Sequence, residues 1–382
     1  MGIFLAILIL IICSGISFAP VDGFNEEYLD RKHTTAVNGI FVILVLFSHY
    51  IQYIDPTRPF EELYVFVMRV YMGSTGPFDE PYLLLRAHLD QLVVATFWFY
   101  SGFGMMESIR RSGDRYINKI ASKAWQLLLR FDIAVIAFWA LYALIGVVFP
   151  LKRLLPALIG WISVGNSYWY IFAVLAEYLI MYLAFKAGFA ISDDKGRRIG
   201  LALTAVLTVI FVFVMMKLDR PAYTYNTMII LPFGACYSEY RKPVEKIIMK
   251  NDRSYLVVLT LALGAYVLSF FNRWKHGIEG YTLWALMFTT LLIMFTMKVR
   301  IYNPLLEWFG KHIFSIYILQ RIPMTILLYF GCIKSHKYIS LIIVIVTTMA
   351  MALLFEAVTD RIIAAITKRT GKKELIPERG AA

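Results

Sequence analysis

Long apolar runs separated by short polar connections dominate this chain. The runs are roughly 17–22 residues long, the length an α-helix needs to cross about 30 Å of hydrocarbon. Eleven spans are predicted: 3–19, 36–54, 91–109, 127–149, 168–186, 199–216, 226–240, 255–271, 281–297, 312–330 and 339–358. The 226–240 block is short and contains Pro232 and Gly234, which predicts a kinked or half-buried helix. Segments 60–73 and 152–164 are too short or too charged to span and are expected to lie on the membrane surface.

Composition agrees with the pattern. Of 382 residues, 59% are hydrophobic and 17% charged, against about 45–50% and about 25% in soluble domains. An all-α, polytopic membrane helix bundle is predicted, with a ten-helix core and one extra N-terminal helix. Residues 1–29 would form the N-terminal helix and linker, 30–360 the membrane domain, and 361–382 a basic tail. The first block has no Lys or Arg ahead of it and Pro20 after it, which favours a retained helix over a removed signal.

The net charge of +12 does not point to nucleic acid, because the basic residues sit between apolar blocks. Most of the 38 Lys and Arg fall on one side if the loop after the first span is cytoplasmic. The positive-inside rule then places the C-terminus in the cytoplasm. Cys13, Cys236 and Cys332 are far apart and lack metal-ligand spacing, so neither a metal site nor a disulfide is expected.

Three stretches could carry chemistry. His49 follows Asn38 by eleven residues, about 16 Å deeper along a helix. An imidazole at that depth either bonds to a neighbouring helix for packing or serves as a base near neutral pH. The second stretch is FWFYSGFGMMESIRRSGDRYINKIASK. Its Ser101-Gly102-Phe103-Gly104 permits close backbone approach. Arg110, Arg111, Arg115, Lys119 and Lys123 crowd the connection that follows. Lys119 and Lys123 share a helix face, and such repelling charges suit either lipid headgroups or a phosphate-rich ligand. The third is GKHIFSIYILQR, which carries Ser315, Tyr317, Gln320 and Arg321 into the membrane. Glu177 and Glu356 are further intramembrane acids, able to pair with Arg130, Arg321 or His49. No phosphate loop, HExxH or Gly-x-Ser-x-Gly elbow occurs.

Together these stretches resemble the acyltransferase 3 family of membrane acyltransferases. Asn38-Gly39 through His49 is similar to its first helix, where a basic residue and Gly precede an apolar run and His. FWFYSGFG resembles the end of the second helix, YINKIASK more loosely the basic start that follows, and SYWYIFAVLAEYLIMYL the central Tyr-Trp opening. GKHIFSIYILQ approximates Gly-Lys-x-Ser-x-x-Ile-Tyr-x-x-His. The likeness covers residues 30–360. Asn38 replaces the family's usual Arg, Gln320 replaces its His, and Lys119 and Lys123 replace an Arg pair.

The resemblance implies transfer of an acyl group, acetyl foremost, from cytoplasmic acyl-CoA to a hydroxyl of a saccharide or lipid-linked acceptor. His49 would be the base, with Asn38, Ser101 and Tyr317 orienting the ring or polarising the carbonyl. Arg110, Arg111, Arg115, Lys119 and Lys123 would hold the CoA phosphates. Membrane lipids are the expected surroundings, and neither a metal nor a nucleic-acid partner is implied. The competing class is a proton-coupled transporter or flippase of saccharide or lipid precursors, using His49 with the intramembrane Glu and Arg residues.

Overall fold

A computed structural model describes residues 2–54, 89–273 and 277–369. The expected surface segment 60–73 and the last residues of the tail lie outside the described residues. The described residues are an all-α bundle. In chain order its elements are α1 (Gly2–Cys13), β1 (Ile16–Phe18), α2 (Arg31–Ile54), α3 (Ala95–Ser112) and α4 (Asp114–Leu144). Then come α5 (Trp169–Ile191), α6 (Gly196–Lys217), α7 (Ile230–Ile248), α8 (Asp252–Asn272) and α9 (Gly277–Lys298). The chain closes with β2 (Val299–Ile301), α10 (Pro304–Lys311), α11 (Ile313–Leu319), α12 (Arg321–Tyr329) and α13 (Lys337–Arg369).

Eight of these helices are long and apolar enough to cross a membrane, and the bent run α10–α12 makes a ninth. The contacts at the helix ends define two faces. On the basic face, Arg110 at the end of α3 donates to the Ser238 carbonyl of α7. Tyr28, just before α2, meets Tyr237 at 2.6 Å and Glu245 at 2.8 Å. On the far face, Arg321 donates to Gln52 at 3.1 Å and Tyr53 lies 3.2 Å from Thr325. The indole of Trp98 reaches Thr227 there at 3.2 Å. The segment leading into α7 is thus fixed at the far face and the helix ends at the basic face. α7 therefore runs from the far face to the basic face, although it is not among the helices apolar enough to count as spans.

Burial ranks the helices. In α2 and in the span holding α3, 72% of the most apolar window is buried, against 17% in α8 and 22% in α4 and α13. The first two form the centre, and the others present Leu and Phe side chains outward, such as Leu261 and Phe271 of α8.

Glycines allow the centre to close. A Cβ on Gly39 would stand 1.9 Å from the Leu306 carbonyl oxygen, and one on Gly310 1.9 Å from that of Thr35. α2 and α10 thus interlock backbone to backbone. Gly102 and Gly234 do the same for α3 and α7, at 2.0 Å from the Leu231 oxygen and 2.2 Å from the Phe99 oxygen.

Several expected boundaries are corrected. The first span is not one helix over 3–19: α1 ends at Cys13, and β1 pairs antiparallel with β2, Ser17 opposite Arg300. Gly15 packs on the Tyr302 carbonyl, which turns the chain into the strand pair. The carbonyl of Ile11 at the open helix end receives the Ser14 hydroxyl at 2.8 Å and the Asn303 amide at 3.2 Å. α7 kinks at Tyr240, not at Pro232. Pro232 lies in the first turn, where no backbone N–H is required, whereas Pro243 removes an interior hydrogen bond. The basic connection after α3 is itself helical, because α4 starts at Asp114 and runs 31 residues, about 46 Å. α13 likewise continues past 360 to Arg369, so the start of the basic tail is helix.

Candidate functional site

His49 lies about 27 Å along α2 from Arg31 at 1.5 Å per residue. It lies towards the far end of α2. The ring is half-buried and sits 6.0 Å from that of Tyr317 on α11. Tyr317 is only 4% exposed, so this contact faces the bundle interior and not the lipid boundary. The aromatic wall continues through Tyr170 of α5, 5.6 Å from Tyr317, to Trp98 of α3, 4.8 Å from Tyr170. Side chains of four helices thus meet in one aromatic cluster. Tyr170 and Trp98 belong to this cluster and were not singled out from the sequence. Their signal was the aromatic run on either side of Trp169 and in FWFY.

The other expected orienting residues stand apart from the imidazole. Asn38 shares α2 with His49, three turns towards the basic face, and does not touch the ring. Ser101 lies one turn from Trp98 towards the basic face and is half-buried. Tyr317 is the one of the three whose ring stands beside His49. Along the interior, Asn38 Oδ1, Thr96 Oγ1, Tyr100 Oη and Gln320 Oε1 are buried without hydrogen-bond partners among the described residues. Orphaned polar atoms are rare in folded proteins and mark where water or a ligand sits.

The intramembrane charges pair locally. Arg130 binds Asp360 at 2.6 Å. Glu177 accepts from Thr208 at 3.1 Å. Glu356 accepts from Ser315 at 2.7 Å and holds His312 Nδ1 at 2.8 Å. None of the expected pairings of Glu177 or Glu356 with Arg130, Arg321 or His49 forms. His312–Glu356 is an imidazole–carboxylate pair on the basic side of the bundle. Its members are 44 residues apart, a separation that carries no local signal.

At the basic face the five proposed phosphate ligands divide. Arg110 is occupied, bonded to Glu107 at 2.8 Å and 3.8 Å from Glu239. Glu239 also accepts two bonds from Arg197, at 2.8 and 2.9 Å, and so ties α3, α6 and α7 together. Glu239→Ala would leave Arg197 without its acid and Arg110 with Glu107 alone. A loss of about 1–3 kcal/mol in stability is expected, measurable as a lowered thermal midpoint. Lys123 reaches the Tyr116 hydroxyl at 3.1 Å. Arg111, Arg115 and Lys119 are exposed and have no acidic partner among the described residues. Outside the helices on this face, burial and then Tyr237 and Glu245 push the Tyr28 hydroxyl far above its ordinary range. It therefore stays a neutral donor.

At the far mouth, Tyr168 and Tyr223 share a hydrogen bond of 3.2 Å. Burial, then Tyr168, pushes Tyr223 up to about 12, while Arg220 and Arg321 pull the other way. Arg220 stacks 4.0 Å over Trp161 and donates to its carbonyl at 2.6 Å.

The described residues thus form a multi-pass membrane bundle with a half-buried histidine set among aromatic rings. A family model described as an acyltransferase domain matches residues 35–359, and the chain belongs to this acyltransferase 3 family. No curated protein matches the chain, and no solved structure does.

Proposed function

We propose that the protein moves an acyl group, acetyl foremost, from acyl-CoA at the basic face to a hydroxyl of a saccharide or lipid-linked acceptor. On this reading the basic face and the C-terminus are cytoplasmic. The observation that carries it is the His49–Tyr317 contact inside the bundle of an acyltransferase-family chain. His49 takes the proton of the acceptor hydroxyl as its oxygen attacks the thioester carbonyl. The tetrahedral intermediate collapses, the C–S bond breaks, and the CoA sulfur leaves with the proton carried by the imidazolium. Tyr317 supports the ring or the developing oxyanion.

Arg111, Arg115, Lys119 and Lys123 are the cations proposed to hold the CoA phosphates. Arg110, already held by Glu107 and Glu239, is assigned to the scaffold instead. Lys123 stands nine residues into α4, about 14 Å from its start. Asn38 and Ser101 line the path between Lys123 and His49 and are proposed to contact the pantetheine arm and not the imidazole.

Purified protein incubated with radiolabelled acetyl-CoA and a saccharide acceptor tests the reading; release of free CoA without acceptor labelling, or no turnover with any hydroxyl acceptor, would overturn it. The double variant Arg115→Gln/Lys119→Gln is expected to raise the KM for acetyl-CoA about tenfold with little change in kcat, as loss of charge-assisted binding predicts. Steady-state kinetics over a range of acetyl-CoA concentrations reads this directly.

A further inference from the structure

Two arginines stand at the far end of the aromatic cluster without a counter-ion among the described residues. Arg321 opens α12 one turn beyond Tyr317, and its guanidinium donates to Gln52, which lies three residues beyond His49 on α2. Arg220 sits in the connection after α6, on Trp161. A run of ring contacts joins the two: Tyr317, one turn before Arg321, lies 5.6 Å from Tyr170, and the adjacent Trp169 lies 5.8 Å from Tyr223, three residues after Arg220. Neither has an acidic partner among the described residues, and the Nε of each is buried with no hydrogen bond. Arg130, Arg197 and Arg110, by contrast, each hold a carboxylate. Cationic groups at membrane depth are costly and are normally paired. Two planar forks with free donors match a carboxylate or a phosphate, which accept in a bidentate manner.

We propose that Arg321 and Arg220 form an anion subsite for the acceptor, which is an acidic saccharide carrying a carboxylate or phosphate near the hydroxyl to be acylated. This rests on the acyl-transfer reading and specifies its acceptor. The anion anchors between the guanidiniums, Tyr168 and Tyr223 flank the sugar, and the hydroxyl one turn deeper meets His49. Acceptor from the far face and acyl donor from the basic face then approach the imidazole from opposite ends. Arg321 and Arg220 bind and orient; they move no proton.

The test uses the full chain in phosphatidylcholine nanodiscs, with thermal unfolding as readout and three probes: methyl glucuronoside, glucose 1-phosphate and neutral methyl glucoside. At least one anionic probe is expected to raise the midpoint, and methyl glucoside is expected to leave it unchanged. Arg321→Gln should weaken anion binding on the order of tenfold or more. Arg321→Lys should retain part of it. If Arg321→Gln does not fold, the Lys variant and Arg220→Gln decide by the same comparison. The proposal is overturned if neither anion shifts the midpoint, if the neutral glycoside matches the anions, or if the variants keep the full shift. It is also overturned if phosphatidylglycerol in the nanodisc produces an Arg321-dependent shift while the sugars do not, because the occupant is then a lipid headgroup. His49→Ala should keep the anion shift. Full transfer by His49→Ala would sink the base assignment and leave the subsite standing.

Discussion

His49→Ala protein is expected to fold, to bind acetyl-CoA, and to transfer acyl groups about 10²–10⁴-fold more slowly, the usual contribution of a positioned general base. Folding should survive because the ring is half-buried, while the fully packed neighbours Phe47 and Tyr50 hold α2 in place. Binding should survive because the free cations lie at the other end of the bundle. The drop should therefore appear in kcat, with the KM for acetyl-CoA near its wild-type value. Tyr317→Phe should lower kcat by less, since it keeps the ring contact and removes only the hydroxyl. The competing candidate is His312, held by Glu356 on the basic side. Should His312→Ala abolish transfer while His49→Ala retains it, the base belongs to that dyad.

The second large effect concerns Gly102. A methyl group there would stand 2.0 Å from the backbone oxygen of Leu231, inside any permitted contact, and backbone cannot swing away as a flexible side chain can. Gly102→Ala is expected to cost at least the upper end of the about 1–3 kcal/mol typical of overpacking, since α3 and α7 must part. At Gly104, two residues on, an added methyl group would meet no atom within 4 Å. Gly104→Ala should be neutral or stabilising by up to about 1 kcal/mol through helix propensity. Fluorescence-detected size exclusion after a heating series separates the two variants. Equal thermal midpoints would mean that α3 and α7 do not pack backbone to backbone.

The contrast within Ser101-Gly102-Phe103-Gly104 marks how far sequence reading reached. Small residues announced a close approach, and Gly102 makes one; which glycine does so depends on where α7 lies, which local spacing does not encode. The crossings were legible because apolar length is a property of each segment alone. α1 was not, because its end is decided by pairing of β1 with β2, far along the chain. His49 and Tyr317 were each visible as polar groups in apolar runs, but their contact is tertiary. The basic cluster was legible as charge and not as partnership: Arg110 is bound to Glu107 and Glu239, while Lys119 beside it in the same pattern is exposed. Arg220 lies in a polar connection, where a single basic residue carries no signal, and only folding sets it beside Arg321.

The uneven burial of the helices has a consequence for variation. Where α8 faces lipid, the surroundings ask for greasiness and no particular shape, so Leu256, Leu261 and Leu268 can exchange among Leu, Ile, Val and Phe at little cost. In α2 and α3 a like exchange disturbs several neighbours at once. Homologous chains should therefore drift fastest around the rim while the two innermost rods hold their pattern, and a random mutagenesis screen should recover its inactive clones chiefly from those rods.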